Sequence, residues 1–483
     1  MRIRTTLTLL IFCTVLTVSA AGRKTAAGVS DKPEGRLSIS CYDTMTYRAF
    51  LEEAVRLFHE QYPLIQVELQ TFSAMPEIRS SDSGTARTSV IEARDDPRSR
   101  ADYISRVSTA LMSGEGADIY AMDILPLRQY VERGQLENLE PLLAADPIRD
   151  TCRPNILHAA RCYGGLWFLP IDYGFSYYAY DSSLIPPSDD FGPGRSFTLE
   201  ALTGMARPLF SGSAKLFNVY DYVPGSLGGM VKELLDEQYS YFVNQEERRA
   251  NFDDGVFAAL LTSVRDYAES GFILRHTGGR TDPGTLNPMQ ETDRYFFKIN
   301  NNFALVNQYG RRSGRRMTLR TAGSGGGIED DDEIAGVRAN RDGGIPFNFS
   351  QAYAINAGSR NKQNAWEFLK FLLSEEVQTS AALSPASLPL NNRARQTKAG
   401  AVFSGSFMGR GQTLSEGQQG LLENYRNTVE ELSDQINCYI PRDTLIDDMI
   451  AAEIAYFFNR SRTAEETAAV LHSKVNLYLN EQN

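Results

Sequence analysis

The sequence predicts an α/β protein built of doubly wound layers, and three observations carry the prediction. From residue 37 to 134 the apolar residues switch back and forth between a period of two and a period near 3.6, strand then helix then strand. The chain is long, 483 residues with 42% hydrophobic content, enough to bury two or three domain-sized cores. Finally, Tyr163 to Asp181 is dense in glycine, proline and aromatics between two apolar strand-like runs. That composition suits a chain passing from one lobe to another beside a ligand.

The first residues read as a targeting segment. Arg2 and Arg4 precede an apolar run from Thr5 to Val18, too short for a membrane span, and Val18-Ser19-Ala20 supplies small residues for cleavage. Residues 1–20 are therefore expected to be a signal peptide and 21–36 a flexible leader. Lipid anchoring at Cys13 and an uncleaved anchor are the alternatives, and Leu10-Ile11-Phe12 before Cys13 are too large for the lipidation signal. The protein is expected outside the cytoplasm, periplasmic or extracellular, and soluble once cleaved.

The elements then follow in order. Leu37 to Tyr42 reads as a strand, and Tyr47 to Gln61 as a helix with Phe50, Ala54, Leu57 and Phe58 on one face, stopped by Pro63. Ile65, Val67 and Leu69 alternate with polar residues, a second strand. Ser73 to Arg100 reads as an exposed loop and Asp102 to Ser113 as a helix. Ala117 to Met122 is a strand, and Pro126 opens a helix that Gly134 closes. Thr198 to Gly271 reads as mostly helical and Phe303 to Gln308 as a strand. The Asp330-Asp331-Asp332-Glu333 run lacks the alternating spacing of a calcium loop and is expected to be a solvated loop. Asn361 to Leu373 is a helix. Thr463 and Glu466 make a capping box ahead of a last helix that buries Ala468, Leu471, Val475 and Leu479.

Bulk chemistry excludes several functions. A formal charge of -11 opposes nucleic-acid binding, which needs clustered Lys and Arg. The four His are scattered and no CxxC pair occurs, so neither a metal site nor a cofactor is expected. Four cysteines follow the leader: Cys41, Cys152, Cys162 and Cys438. Cys152 and Cys162 flank a short segment that a disulfide could close, or all four are small buried residues. GxSxG, HExxH and Walker patterns are missing from the sequence.

Several separated blocks resemble the bacterial extracellular solute-binding proteins of family 1, which feed sugars to ABC importers. Phe58-His59-Glu60-Gln61-Tyr62-Pro63-Leu64-Ile65-Gln66-Val67 looks like the family's first helix, proline stop and second strand. Ser113-Gly114-Glu115-Gly116-Ala117-Asp118-Ile119 is similar to its third-strand block, with Ala117 in place of proline. Gly134-Gln135-Leu136 with Leu139 to Leu143, the crossover Trp167 to Asp181, and Phe303-Ala304-Leu305-Val306 follow in the family order. So do Tyr353 to Asn356, Asn364 to Leu372, Leu388-Pro389-Leu390-Asn391 and the closing helix from Ala464.

The resemblance implies a two-lobe periplasmic-binding-protein fold, each lobe a doubly wound sheet flanked by helices, joined by three hinge crossovers. It implies an N-terminal lobe of 37–168 plus 307–348 and a C-terminal lobe of 169–306 plus 349–483. The implied function is capture of a sugar or oligosaccharide by hinge closure, without catalysis, by a monomer that delivers it to the transmembrane subunits of an ABC permease. A binding protein for another polar solute, such as a polyol or peptide, and a sensory protein are alternatives. A secreted glycosidase using Asp123 and Asp172 is a further one.

A sugar presents apolar faces that stack on aromatic rings and hydroxyls that need planar polar partners. Strand ends and crossovers should supply them. The candidates are Tyr42 and Asp43 after the first strand, Asp123 after the third, Asp172 and Tyr173 on the first crossover, and Tyr222 in an aromatic loop. Tyr309 follows the second crossing, and Ser350 and Gln351 precede the third. Asp43 and Asp123 could instead cap helices, and Tyr178 and Tyr180 read as core. Trp167 and Trp366 are the only tryptophans and both sit in structural segments, a departure from the family's sugar binders that tyrosine, with 23 copies, could make good.

Overall fold

The computed structural model describes residues 34–43, 45–72, 97–209, 215–219, 227–270, 295–301, 305, 332–380, 383, 387–404 and 414–481. The chain begins with β1 (Gly35–Tyr42), α1 (Met45–Gln61), β2 (Ile65–Phe72), α2 (Pro97–Ser113) and β3 (Ile119–Ala121). Leu37, Ile39 and Cys41 of β1 are fully buried at alternate positions, and Tyr47, Phe50, Leu51, Ala54 and Phe58 form the buried stripe of α1. Three short helices follow, α3 (Leu127–Glu132), α4 (Glu140–Ala145) and α5 (Pro154–Ala159), before β4 (Leu169–Pro170) and β5 (Asp172–Tyr173).

The chain then builds a second sheet. Its parts are β6 (Ser176–Asp181), β7 (Ser196–Phe197), α6 (Leu199–Ala206), β8 (Lys215–Val219), α7 (Leu227–Asp236), α8 (Tyr239–Phe242), the small pair β9 (Val243–Asn244) and β10 (Arg249–Ala250), α9 (Val256–Glu269), β11 (Tyr295–Asn301) and β12 (Asp332–Arg338). It returns to the first sheet as β13 (Ala352–Ile355), α10 (Lys362–Leu372), α11 (Glu375–Thr379), β14 (Leu388–Pro389), α12 (Asn392–Ser404) and α13 (Glu416–Asp434). It ends on the second sheet with α14 (Thr444–Phe458) and α15 (Ala464–Glu481). The expected capping box opens α15: Thr463 Oγ1 accepts the Glu466 N–H at 3.1 Å and Glu466 Oε2 accepts the Thr463 N–H at 2.9 Å.

The first sheet has the order β2-β1-β3-β13-β4, and the second β7-β12-β6-β11-β8. β1 pairs in parallel with β2 and β3, whereas β13 runs antiparallel to β3 and β4. The buried apolar residues fall into two clusters, one about each sheet; the first reaches across to Tyr177, Ala179 and Val337 of the second sheet.

Two expectations about the second sheet are corrected. The acidic run does not end in a solvated loop: Asp332 starts β12 and is fully buried. Lys298 of β11 reaches it at 2.8 Å across β6, where the pairing puts the small Ala179 between Lys298 and Ile334. A buried carboxylate is tolerable only with such a partner, and that partner lies 34 residues away in sequence. Of the strand expected at Phe303 to Gln308 only Leu305 is described; it is helical and buried in the first cluster, and the neighbouring strand is β11.

Three segments connect the two lobes and run side by side. Gly174 and Asn348 exchange backbone hydrogen bonds of 2.8 and 2.9 Å, the Phe347 N–H donates to Cys438 O at 3.1 Å, and the Asn437 N–H to Ile345 O at 3.1 Å. A Cβ on Gly344 would lie 2.9 Å from Cys438 Sγ, so this close approach needs glycine. The rings of Phe347 and Phe168 lie 5.5 and 5.1 Å from that of Tyr439. The crossings are thus at 171–175, 339–351 and 435–443. The expected lobe assignment is reversed at two strands, since β12 belongs to the second sheet and β13 to the first. The crossings expected near Phe303 and Tyr353 move to 339–351 and 435–443.

Candidate functional site

The parallel pairing of β1, β2 and β3 brings their carboxyl ends, Tyr42, Phe72 and Ala121, to one edge of the first sheet. β13 is antiparallel, so its amino end joins the same edge, and β4 leaves from it into the first crossing. The chain leaves β1 toward β2 on one side and returns in β3 on the other, so the order reverses between β1 and β3. A crevice outside the carboxyl ends at such a reversal is where open α/β sheets bind ligands. Asp43 and Asp123 follow β1 and β3 and flank it.

The second sheet turns an edge toward the same crossings. Ser176 opens β6 opposite Asn301, the end of β11, and β8, parallel to β11, ends there at Val219. Tyr222 comes three positions after Val219, and both Tyr222 and Tyr309 lie outside the described residues.

Tyr42 is buried, its ring stacked on Phe72 at 6.2 Å and tilted against Tyr103 at 5.7 Å. Asp43 keeps partial exposure, with Arg48 Nη1 at 3.6 Å from its carboxylate. Around Asp123 stand Cys41, Tyr47, Tyr103 and Tyr353. Burial first, and the charge of Asp123 in addition, hold the three phenols well above their ordinary range and push the Cys41 thiol up to about 12. These hydroxyls therefore remain protonated donors at neutral pH. Tyr103 and Ser40 share a hydrogen bond of 3.1 Å, and Tyr353 donates to Gln351 Oε1. Gln351 is 1% exposed, and its Nε2 has no hydrogen-bond partner among the described residues. A buried amide donor left this way is costly unless something else accepts from it.

Two candidates have a different place. Asp172 is fully buried, and its carboxylate accepts the N–H groups of Ser350 at 2.9 Å and Gln351 at 3.0 Å and the Ser350 hydroxyl. It ties the first crossing to the second, and Ser350 serves the same tie. Tyr173 is also fully buried, its hydroxyl donating to Ser433 Oγ at 3.3 Å under Arg153. Both oxygens of Asp172 accept hydrogen bonds from the second crossing, so it acts as a clamp in the hinge.

Residues the sequence reading passed over complete the edge. Tyr47, Tyr103 and Tyr353 sit at positions whose periodicity is that of core residues, and nothing in spacing separates a core tyrosine from one bordering a cleft. Asn300 and Asn301, a polar pair ending an apolar strand, carried a usable signal. Asn300 is 3% exposed, with Nδ2 unpartnered among the described residues. As expected, the tryptophans are structural: the Trp167 Nε1–H donates to Cys162 O at 3.1 Å and that of Trp366 to Asp146 Oδ2 at 3.3 Å.

The lobes also touch directly. Thr444 Oγ1 donates to Ile124 O at 3.1 Å, Tyr163 OH to Gln245 Oε1 at 3.0 Å, Arg248 Nη2 to Glu132 Oε2 at 3.1 Å, and Arg100 pairs with Asp448. The four cysteines after the leader are unbridged. Among the described residues no group of three or more His, Cys, Asp or Glu could hold a metal, and no helix is long and apolar enough to cross a membrane.

No family model and no curated protein matches this sequence. Solved structures do match. An extracellular solute-binding protein of family 1 from Alicyclobacillus acidocaldarius superposes with a TM-score of 0.52 at 16% identity, covering 94% of this chain and 100% of that one. A family 1 extracellular solute-binding protein from Bifidobacterium longum subsp. infantis gives 0.52 at 15%, covering 91% and 98%. The GacH receptor of Streptomyces glaucescens GLA.O, solved unliganded and with acarbose, gives 0.51 at 14%, covering 93% and 100%. The fold of this chain is therefore that of the two-lobe solute-binding proteins.

Proposed function

We propose that this chain is the extracytoplasmic solute-binding component of an ABC importer, taking a sugar or oligosaccharide in the cleft between its lobes. One observation supports the reading above others. Two carboxylates, Asp43 and Asp123, converge with protonated tyrosines and the open amide donor of Gln351 on the carboxyl edge beside the three crossings. Carboxylates accept from sugar hydroxyls and the amide donates. The fold it shares with acarbose-binding GacH and with maltose-bound MalE3 of T. maritima supports the same class of ligand.

The mechanism is closure. Ligand held by the first lobe gains contacts with the second only when the three crossings bend, and that differential free energy moves the open–closed equilibrium. The closed form is what permease subunits would read. The oxygens of Asp172 hold Ser350 and Gln351 across the hinge, a structural use that supports binding over hydrolysis. In this reading the chain is exported and acts as a monomer, with Tyr42, Asp43, Asp123 and Gln351 as candidate ligand contacts; Tyr222 and Tyr309 lie outside the described residues.

The test is thermal unfolding of the mature protein against a panel of mono- and oligosaccharides, polyols and short peptides. A sugar is expected to raise Tm, because it binds only the folded state. Asp123→Asn should lower affinity for that sugar about tenfold or more while leaving unliganded Tm within a degree or two. A shift with peptides alone, or full affinity in Asp123→Asn, would refute the reading.

A further inference from the structure

Among the described residues three non-glycine residues have a left-handed backbone: Tyr163 (φ 49°), Arg248 (φ 53°) and Arg460 (φ 58°). This region crowds the Cβ of an L-residue and favours glycine or asparagine. Arg460 has a local reason. It follows α14, where its N–H donates to Phe457 O at 3.0 Å and the Ser461 N–H to Tyr456 O at 2.9 Å. Those hydrogen bonds close a helix on a left-handed residue. The other two residues stand at no helix end.

Tyr163 and Gly164 (φ 75°) are the central pair of a tight turn, and Cys162 and Gly165 exchange backbone hydrogen bonds of 3.1 Å across it. Both central residues of such a turn need positive φ, and the first place suits asparagine or glycine far better than tyrosine. Arg248 ends the four-residue turn 245–248 between β9 and β10, its N–H donating to Gln245 O at 3.3 Å.

Both side chains leave their own lobe. Tyr163, half-buried against the first core, donates its hydroxyl to Gln245 Oε1 at 3.0 Å. Arg248 reaches the other way, with Nη2 3.1 Å from Glu132 Oε2. The acceptors are themselves held. Buried Arg128 donates to Glu132 Oε1 at 2.6 and 2.8 Å, and Gln245 Nε2 donates to Pro441 O, in the third crossing, at 3.3 Å. Gln245 and Arg248 are the first and last residues of one turn, so the two bridges form on the same few residues of the second lobe.

We propose that these turns are a strained latch between the lobes. The unfavourable backbone of Tyr163 and Arg248 is offset by side chains that hold the lobes in the arrangement of this structure, and the latch sets how readily the unliganded cleft opens. As regulation of the cleft, this rests on the binding role proposed above. Losing the latch would lower affinity by the share of the closed form that is lost.

The test is X-ray scattering and thermal unfolding of the whole mature protein without ligand. Arg248→Asn removes one bridge and puts a residue suited to the left-handed position in its place. Tyr163→Phe keeps the turn and the ring and removes only the hydroxyl. Each is expected to move the lobe equilibrium toward the open form by up to about fivefold, and the double variant by about tenfold or more, read as a larger radius of gyration. Arg248→Asn should also keep a higher Tm than Glu132→Gln, which breaks the same pair but leaves the turn strained. An unchanged radius in the double variant would overturn the latch, and so would an Arg248→Asn variant no more stable than Glu132→Gln. No sugar enters the experiment, so a failed latch leaves the binding role standing, and a failed sugar screen leaves the latch standing.

Discussion

The carboxylate of Asp172 receives the backbone N–H of Gln351 at 3.0 Å, and so binds together two chain segments that are 179 residues apart. With the Ser350 N–H at 2.9 Å, this clamp sets where the first and second crossings meet. Replacing it strands two buried backbone donors. Asp172→Ala is expected to cost about 3 kcal/mol in urea unfolding, and Asp172→Asn about half of that, since one oxygen remains. A sugar affinity lost in Asp172→Asn without any loss of stability would contradict the clamp and return Asp172 to the ligand.

Glu132 holds Arg128 of its own helix through Oε1 and Arg248 of the other lobe through Oε2. The pair with Arg248 is about one-third exposed on each side and contributes up to about 1 kcal/mol. Glu132→Gln should therefore move the lobe equilibrium toward the open form by up to about fivefold, and salt should do the same to the wild type. The radius of gyration from X-ray scattering checks this. Identical curves for the two proteins at low salt would show that the contact does not hold the lobes.

The Lys298–Asp332 pair is deep in the second sheet, with side chains 7% and 1% exposed. Removing one partner leaves a buried charge, so Asp332→Asn is expected to destabilise by about 3–5 kcal/mol. Changing both, Lys298→Met with Asp332→Leu, should recover most of the loss. A double variant as unstable as the single would mean that shape, not charge, governs the site.

Acid stability depends on Glu430 and Asp236. Burial pushes both carboxyls up, but neighbouring cations outweigh it, Arg395 and Arg153 for Glu430 and Arg442 with Lys232 for Asp236, so both end below their ordinary values. The unfolded chain then binds these protons more tightly. Their stabilisation is complete above the unfolded pKa of about 4 and is lost as pH falls through the folded values. Glu237 and Asp443, which burial raises, act in the opposite sense. The measurable quantity is thus a difference: the Tm of Glu430→Gln should fall less steeply below about pH 4.5 than that of the wild type. Parallel curves would exclude Glu430 as a contributor.

Much of the first lobe was legible because its elements are local. β1 to β3 alternate or follow proline stops, and in the second lobe the Thr463–Glu466 box needs only four consecutive residues. β12 was illegible because its leading carboxylate is paid for by a lysine on another strand, which no local pattern contains. The lobe boundaries slipped for the same reason, since a crossing is defined by the sheets at its two ends. At the site, Asp43 and Asp123 were readable as polar residues ending apolar strands. Asp172 had the same chemistry, and only its partners distinguish a clamp from a ligand contact.

By itself the sequence determined the α/β class, the first three strands with their helices, and the tyrosine- and carboxylate-rich chemistry, because periodicity and composition act within a few residues. Tertiary structure alone decided which strands share a sheet, where the chain crosses between lobes, and which carboxylates are already satisfied. Those outcomes depend on hydrogen bonds and charge pairs between groups far apart in the chain, whose energies exist only once folding has brought them within reach.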